Sequence, residues 1–203
     1  KNQKRKTFGP KDADYPIEFV KADPFVEVDF NGIHVRSQLI GKYNFANISA
    51  AIASGSYFEV APQSIREGIE AYVPQNNRSQ IIERGKLKII LDAYNANPSS
   101  MSAALKHLSQ IEAPKKTAIL GDMFELGSTA AEEHQYIAEL ATSIGIDQVI
   151  LVGNHFAGTN TSAKTFSDIE QLKIALADMD LSNHWVLIKG SRGMALERLL
   201  EVI

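Results

Sequence analysis

The chain of 203 residues contains no cysteine, and no apolar run approaches the roughly 18–20 residues that a membrane-spanning helix needs. The first absence excludes disulfides and thiolate metal sites, and it fits a cytoplasmic protein. No secretory signal opens the chain. The chain also lacks a large excess of either charge: the formal net charge is −3, so the basic surface typical of a nucleic-acid-binding protein is not predicted. The composition therefore predicts one large or two small soluble domains.

Several chemical signatures are missing as well. The sequence has no G-x-G-x-x-G after a strand and no G-x-x-x-x-G-K-[ST] loop, which excludes a nicotinamide-dependent oxidoreductase and leaves the chain without the phosphate loop of an ATPase. The five histidines show neither H-x-H nor H-E-x-x-H spacing, so no metal site is predicted. His134 follows Glu132-Glu133 at the start of a predicted helix, a setting typical of a surface residue.

The first part of the chain reads as a hairpin followed by two helices. Alternating apolar residues over Phe25–Ile40 flank Asn31-Gly32, whose residues tolerate the positive φ of a tight hairpin turn. Helices are predicted over Asn44–Phe58 and near Pro62–Ala71, and the polar break Val73–Asn77 follows them. We place the domain boundary there, with domains at 1–75 and 76–203. Because Lys1 is not an initiator methionine and residues 1–6 are polar, we expect a piece of a longer protein.

The second part alternates strands and helices. Its strands are continuously apolar, which indicates burial on both faces and hence an α/β, Rossmann-like, doubly wound, mainly parallel sheet. A hairpin around Arg84-Gly85-Lys86 opens it, and Asn97 is the predicted N-cap of the first helix. The other predicted strands are Ala118–Leu120, Val149–Val152, Thr165-Phe166 and Trp185–Ile188; the predicted helices begin at Pro98 and cover Ala130–Ile144, Asp168–Met179 and Met194–Val202.

Polar loops follow these strands and are expected to meet at the carboxyl edge of the sheet, where such folds bind ligands. They are Asp92–Asn97, Gly121–Gly127, Gly153–His155 and Lys189–Gly193. Asp92 ends a buried strand, so its carboxylate can accept the hydroxyls of a ribose or simply cap a turn. Asn95 and Asn97 can likewise serve as turn and cap residues.

Two further loops and one junction carry candidate groups. Asp122 and Glu125 can bind an ammonium group or a metal, or belong to a solvated loop. Lys189 and Arg192 flank Gly190-Ser191 just before a predicted helix, where backbone N–H groups and two cations favour an anion. Arg78 follows the polar break and can reach a phosphate, although a surface arginine is the ordinary alternative.

Asn44 and Asn47 stand three residues apart at the start of a predicted helix and therefore share a face. Paired amides can read the edge of a base through a donor and an acceptor, and the neighbouring Tyr43 can stack. The alternative is an N-terminal cap region without a ligand.

Four strings together resemble the Mur ligases, the ATP-dependent amide ligases of peptidoglycan synthesis. They are Gly41–Ala51 (G-x-x-N-x-x-N-x-x-A-A), Asp92–Pro98 (D-x-Y-N-A-N-P), Leu120–Gly127 (L-G-D-M-x-E-L-G) and Lys189–Gly193 (K-G-S-R-G). With Arg78 they occur in family order between about residues 41 and 194. Tyr43 departs from the histidine that the family usually has before the first asparagine.

The resemblance implies that residues 1–75 are the hairpin-and-helix tail of a central ATP-binding domain and that 76–203 are the Rossmann-like C-terminal domain. Asn44 and Asn47 would contact adenine, Asp92 the ribose, and Arg78 the phosphate as the catalytic cation. The substrate side would be lined by Asn95, Asn97, Asp122, Lys189, Ser191 and Arg192. ATP and Mg²⁺ would be required, with metal ligands mainly upstream, and a monomer is expected.

The implied reaction joins D-Ala-D-Ala to UDP-N-acetylmuramoyl-tripeptide through an acyl phosphate, with Lys189 or Arg192 pairing with the dipeptide carboxylate. Without a phosphate loop we expect the chain alone to be inactive. Two alternatives stay open: another ligase of the superfamily, of folylpolyglutamate or cyanophycin type, and a non-catalytic module that binds a nucleotide or an amino acid.

Overall fold

A computed structural model describes residues 5–203, so most of the polar segment 1–6 lies outside the described residues. The chain divides into two units, the first ending at Pro74 and the second covering Gln75–Ile203. No helix among residues 5–203 combines the length and the apolar character that crossing a membrane would take.

Over residues 5–74 the first unit contains five strands and two α-helices. The predicted hairpin is confirmed: β4 and β5 pair antiparallel, and Asn31 and Gly32 in the turn have φ of 50° and 74°. A strand not predicted from the sequence, β3, adds to the outer side of β4. The strands are β1 (Phe8–Gly9), β2 (Tyr15–Pro16), β3 (Glu18–Ala22), β4 (Phe25–Phe30) and β5 (Ile33–Ile40); the helices are α1 (Phe45–Tyr57) and α2 (Pro62–Ala71).

The core of this unit lies between the three-stranded sheet and the two helices. Alternate residues of β4 and β5 are buried because successive side chains of a strand point to opposite faces. They meet Ile48 and Ile52, four residues apart on α1, and Ile65 of α2. A short 3₁₀ turn, Lys42–Asn44, leads into α1. This turn carries the first of the two candidate asparagines.

The second unit is built on a six-stranded sheet in the order β10-β9-β8-β11-β7-β6, parallel except for β6. The predicted doubly wound, mainly parallel sheet is confirmed. Its strands are β6 (Gln80–Arg84), β7 (Leu87–Asp92), β8 (Lys115–Gly121), β9 (Gln148–Val152), β10 (Lys164–Phe166) and β11 (His184–Lys189). The α-helices are α3 (Pro98–Gln110), α4 (Ala130–Ser143), α5 (Asn154–Ala157) and α6 (Ile169–Ala177).

Both faces of this sheet are covered, as its continuously apolar strands require. One face, represented by Ile119 and Val186, packs against Leu172 and Leu176 of α6 and against the C-terminal segment. The other face contacts α3 and α4. The chain runs from β7 past the position of β11 to β8, and β11 later inserts between them. This crossover makes β7 and β11 neighbours, although 97 residues separate Asp92 from Lys189.

The C-terminal segment differs from its prediction as one helix over Met194–Val202. It forms two 3₁₀ helices, Arg192–Met194 and Leu196–Glu201, separated at Ala195, whose φ of 48° lies in the left-handed region. Leu196 and Leu199, three residues apart, are both fully buried, which the three-residue period of a 3₁₀ helix permits.

Candidate functional site

The candidate site of the second unit centres on an ion pair between the ends of β7 and β11. Lys189 and Asp92 are register partners on these neighbouring strands. The Lys189 ammonium donates to Asp92 Oδ2 at 2.6 Å and to the Asn95 carbonyl at 3.1 Å. Only 2% of the lysine side chain and 15% of the aspartate side chain are exposed. The loops after β7 and β11, predicted to meet, are therefore joined directly.

The second oxygen of Asp92 is also engaged. Its Oδ1 accepts the backbone N–H of Ser79 at 3.1 Å and the Ser79 hydroxyl at 3.4 Å. The carboxylate therefore links the residue just after Arg78 to the end of β11. In the sequence Lys189 was a candidate cation for an external anion; in the structure its charge is already balanced by Asp92.

Tyr94, which the sequence alone did not indicate as a site residue, has the guanidinium groups of two arginines close to its ring. The Arg78 guanidinium carbon lies 3.7 Å from the centroid of the Tyr94 ring, and that of Arg192 lies 5.1 Å from it. Both arginines are exposed, whereas Tyr94 is half-buried. A hydrogen bond from Arg78, and then the charges of Arg78 and Arg192, lower the pKa of the Tyr94 phenol below its ordinary value.

Asn95 and Asn97 are both exposed but have different local roles. The Asn95 side-chain oxygen accepts the next backbone N–H, that of Ala96, at 2.8 Å. Asn97 is the N-cap of α3, as predicted: its Oδ1 accepts the Ser100 N–H at 2.9 Å, and the Ser100 hydroxyl accepts the Asn97 N–H at 3.1 Å. This reciprocal arrangement is a capping box built with serine.

Replacing Asn97 by alanine should therefore lower the free energy of unfolding by about 1 kcal/mol, because the Ser100 N–H loses its acceptor at the start of α3. Urea unfolding followed by the fluorescence of Trp185, the one tryptophan of the chain, measures this. Asn160→Ala, in an exposed loop, is the matched control and should change the free energy by less than about 0.5 kcal/mol. Equal losses in the two variants would contradict the capping role.

Asp122 and Ser191 are turned into the protein. The Asp122 carboxylate accepts the backbone N–H groups of His155 and Phe156, each at 3.0 Å, at the start of α5. The Ser191 hydroxyl accepts the Phe124 N–H at 2.8 Å, and the Ser191 N–H donates to the Asp122 carbonyl at 3.0 Å. Both side chains, which are at most 4% exposed, thus tie the loops after β8, β9 and β11 together.

His134, expected at the surface, is fully buried beneath these loops. Its Nε2 accepts the Met123 N–H at 2.9 Å, and its Nδ1 lies 2.6 Å from the Ala130 carbonyl. A backbone N–H needs an acceptor at Nε2 and a carbonyl needs a donor at Nδ1, so the imidazole is neutral with its proton on Nδ1. Burial lowers the pKa of His134, which agrees with the neutral form.

An open cavity of about 320 Å³ lies at this carboxyl edge, between the loops after β8, β9, β10 and β11. Asp122 and His155 line one side, and Asp168, Met194 and Phe124 line another. Across residues 5–203 no group of three histidine, cysteine or acidic side chains is placed to hold a metal ion.

In the first unit, the two candidate asparagines form a bonded pair, which agrees with their predicted common face. The Asn47 amide donates to Asn44 Oδ1 at 2.9 Å, and the Asn44 amide donates to the Ile40 carbonyl at 2.8 Å. Asn44 is buried, whereas Asn47 is exposed. Asn44 therefore fixes the orientation of Asn47, whose side-chain oxygen faces away from this bond.

Comparison with known families bears on this arrangement. Residues 77–192 match the model of the family described as "Mur ligase, glutamate ligase domain". The chain belongs to the Mur ligase family. The match covers all six strands of the sheet of the second unit. It also includes Arg78, Asp92 and the Lys189–Arg192 segment.

Among curated Mur ligases, the UDP-N-acetylmuramoyl-tripeptide–D-alanyl-D-alanine ligase of Treponema pallidum (strain Nichols) is 35% identical over 179 residues, which are 84% of this chain and 39% of that protein. The protein of the same name from Bacillus subtilis (strain 168) is 32% identical over 176 residues, 80% of this chain and 38% of that protein. This chain thus spans less than half the length of these relatives.

Solved Mur ligase structures agree with the fold. A crystal structure of MurF from Acinetobacter baumannii superposes with a TM-score of 0.79 at 26% identity, covering 95% of this chain and 45% of that one. MurF ligase from Thermotoga maritima, solved in complex with ADP, gives a TM-score of 0.78 at 20% identity, covering 95% of this chain and 46% of that one. At 20% identity the second likeness concerns the fold alone.

Proposed function

We propose that this chain is the C-terminal part of an ATP-dependent ligase that joins D-Ala-D-Ala to UDP-N-acetylmuramoyl-tripeptide in the cytoplasm, during peptidoglycan precursor synthesis. The observation that carries the proposal is the 2.6 Å ion pair of Lys189 with Asp92, because it brings together two strings that resemble this member of the family. The names of the curated relatives support the same substrates.

In this proposal ATP phosphorylates the tripeptide carboxylate, the dipeptide amine attacks the acyl phosphate, and phosphate leaves. Charge builds up on the transferred phosphoryl group, so a guanidinium beside it lowers the barrier electrostatically. Arg78 is assigned this role because its guanidinium is exposed and the ion pairs of residues 75–203 do not include it. Asp92 and the Asn44–Asn47 pair are assigned to the ribose and to adenine.

The dipeptide carboxylate is assigned to Arg192 rather than to Lys189. Both were candidates, but the Lys189 ammonium is buried and bonded to Asp92, whereas the Arg192 guanidinium is exposed. Asn95 and Asn97 stay assigned to the same substrate side. Asp122 and Ser191 support this side from below through the backbone bonds that hold its loops.

We expect the 203-residue chain by itself to show no ATP-dependent ligation, because it contains no phosphate-loop motif. The whole ligase of this proposal should form the amide bond, and the product is detected by mass spectrometry. Ligation by the isolated chain would contradict the first expectation. A whole protein that binds nucleotide and dipeptide without joining them would favour the non-catalytic binding module.

In the whole protein, Arg192→Gln should raise the KM for D-Ala-D-Ala about tenfold while changing kcat little, because it removes about 1.4 kcal/mol of binding to the dipeptide carboxylate. Steady-state phosphate release at varied dipeptide concentration measures both constants. Arg198→Gln is the control, since Arg198 is exposed and its guanidinium is already paired with Glu170 at 2.6 Å. An unchanged KM in Arg192→Gln would remove this assignment.

A further inference from the structure

The loop after β8, Gly121–Gly127, has a backbone amide that points into the interior of the second unit. The Met123 N–H donates to Nε2 of His134 at 2.9 Å, and both residues are at most 1% exposed. A buried N–H group without an acceptor costs free energy comparable to a lost hydrogen bond. The position of this loop therefore depends on an acceptor beneath it, which His134 supplies from near the start of α4.

The hydrogen bond requires one tautomer of His134, and the first turn of α4 selects it. The Nδ1 atom lies 2.6 Å from the Ala130 carbonyl, four residues earlier on the same helix. A carbonyl can only accept, so Nδ1 carries the proton and Nε2 is left as an acceptor. The Ala130 carbonyl thus makes the imidazole a fixed acceptor for the Met123 N–H.

The imidazole is also held by the residues that follow β9. It stacks on His155 with ring centroids 4.9 Å apart, and it meets the edge of Phe156 at 4.7 Å. The backbone N–H groups of these two residues donate to the Asp122 carboxylate, whose Oδ1 lies 3.7 Å from His134 Nε2. His134 therefore contacts two of the loops that line the cavity at the carboxyl edge of the sheet.

The residue after Met123 connects this bond to the segment that is assigned to the dipeptide. Phe124 lines the cavity, and its N–H donates to the Ser191 hydroxyl at 2.8 Å. Its ring lies so close to Gly193 that a methyl group added there would come within 2.7 Å of it. Ser191 and Gly193 are the two chain neighbours of Arg192. A shift of Met123 therefore disturbs Phe124 and, through it, both neighbours of Arg192.

We propose that His134 is a positioning residue for the dipeptide side of the site. Its neutral imidazole fixes Met123, and this fixes the placement of Phe124 and Arg192. The inference rests on the proposed function for its substrate, and it extends that function to a fully buried residue that acts through its neighbours. A loop that is fixed before the ligand arrives loses less conformational entropy on binding. Loss of the bond should therefore raise the KM for the dipeptide and leave kcat nearly unchanged.

The first test measures the hydrogen bond itself in the 203-residue chain. Nitrogen-15 magnetic resonance at about pH 7.5 should show His134 protonated on Nδ1, with a scalar coupling between its Nε2 and the Met123 amide nitrogen. The Met123 amide should exchange with solvent far more slowly than the amide of Glu125, an exposed residue of the same loop. A proton on Nε2, or equally fast exchange of the two amides, would overturn the proposal.

Two substitutions in the whole protein separate the two ring nitrogens. The glutamine amide of His134→Gln reaches the position of Nε2 and can still accept from Met123, whereas the shorter amide of His134→Asn reaches only the position of Nδ1. Each variant loses one of two bonds, so both should lower the urea midpoint to a similar extent. His134→Asn should raise the KM for D-Ala-D-Ala about fivefold or more with kcat within about twofold, and His134→Gln should keep KM within about twofold.

The matched control for a loss of stability alone is His184→Leu. His184 is buried at the amino end of β11 and bonded to Thr117 at 2.8 Å, so its loss should lower the urea midpoint and leave KM unchanged. An unchanged KM in a folded His134→Asn protein, or an equal rise of KM in His134→Gln, would contradict the positioning role. Where neither variant folds, the coupling and the amide exchange of the original chain decide.

Failure of the ligase proposal gives a different result. An original whole protein that forms no amide bond contradicts the ligase, and the positioning role is then decided by backbone signals of the 203-residue chain. Those of Phe124 and Arg192 should shift further in His134→Asn than in His134→Gln. Ligation by the original protein together with an unchanged KM in His134→Asn contradicts the positioning role alone.

Discussion

Replacement of Lys189 by methionine is expected to lower the free energy of unfolding of the second unit by about 3 kcal/mol. Methionine keeps most of the apolar stem of the side chain but removes the ammonium, leaving a largely buried Asp92 without its counter-charge. Removing one partner of a buried ion pair is costly because the other charge stays desolvated and uncompensated. The Asn95 carbonyl loses its donor as well. Urea unfolding followed by Trp185 fluorescence measures the loss.

The control is Lys88→Met, in an exposed ion pair with Glu83 at 3.2 Å on the same sheet. Exposed pairs contribute at most about 1 kcal/mol, so this variant should lose much less than Lys189→Met. A double variant, Asp92→Asn with Lys189→Met, should be more stable than the sum of its single losses predicts, by about 2 kcal/mol. Equal losses in Lys189→Met and Lys88→Met would show that the buried pair is not a major source of stability.

The Lys189–Asp92 ion pair is a feature that the sequence could not predict. The sequence does predict the features that depend on adjacent residues, namely the Asn31-Gly32 turn, the Asn97 cap and the hairpin around Gly85. Each depends on backbone geometry within a few residues. The contact of Lys189 with Asp92 depends instead on β11 entering the sheet beside β7, and no local pattern specifies that crossover.

The candidate site divides along the same line. That the loops after β7 and β11 meet followed from the general rule for parallel sheets, and the structure agrees. Which groups stay available for a ligand could not be read from the strings, because it depends on pairing across the sheet. The Lys189 ammonium is paired with Asp92, and the Asp122 carboxylate accepts backbone N–H groups at the start of α5. Arg78 and Arg192, in contrast, are exposed.

Tyr94 and His134 were missed for different reasons. Tyr94 lies inside the Asp92–Pro98 string, but its contacts with the guanidinium groups involve two arginines that are distant in sequence. His134 follows two glutamates, a pattern typical of an exposed helix start, yet the helix turns this residue under the loop that contains Met123. The usable signal was its spacing from Ile137, Ala138 and Ala141, which are all buried on α4.

The last segment shows a third kind of limit. Its apolar residues predict a helix, and the spacing of Leu196 and Leu199 fits both an α-helix and a 3₁₀ helix. The close approach of Leu196 to Gly121 and Gly190 decides between them. A methyl group on either glycine would lie within 2.9 Å of the leucine side chain, so the segment must pack tightly against these loops.

His134 should make the second unit sensitive to mild acid. Burial lowers its folded-state pKa, so between that value and the unfolded value near 6.5 the unfolded chain binds more protons than the folded one. The contribution of His134 to the free energy of unfolding is therefore fully present above about pH 6.5. It is lost as the pH falls, by up to about 1.4 kcal/mol per pH unit. The lowered pKa of His184 acts in the same direction. Unfolding in urea at about pH 7.5 and 5.5 measures the difference, above the range in which carboxylates titrate.

His134→Leu separates the two contributions of this residue. At about pH 7.5 it should lower the free energy of unfolding by about 3 kcal/mol, because the buried Met123 N–H and Ala130 carbonyl each lose a partner. The drop in stability between pH 7.5 and 5.5 should also shrink by about 1 kcal/mol, since leucine cannot take up the proton.

His155→Leu is the matched control, because His155 stacks on His134 with ring centroids 4.9 Å apart yet is itself exposed. It should lose less than about 1 kcal/mol and keep most of the acid sensitivity, since His134 is still present to be protonated. Asp122 and Glu133 raise the pKa of His134, and the charge of His155 lowers it, but burial outweighs them. If His134→Leu kept the full acid sensitivity, the proton would have to be taken up elsewhere, and the buried His184 beside Thr117 would be a candidate.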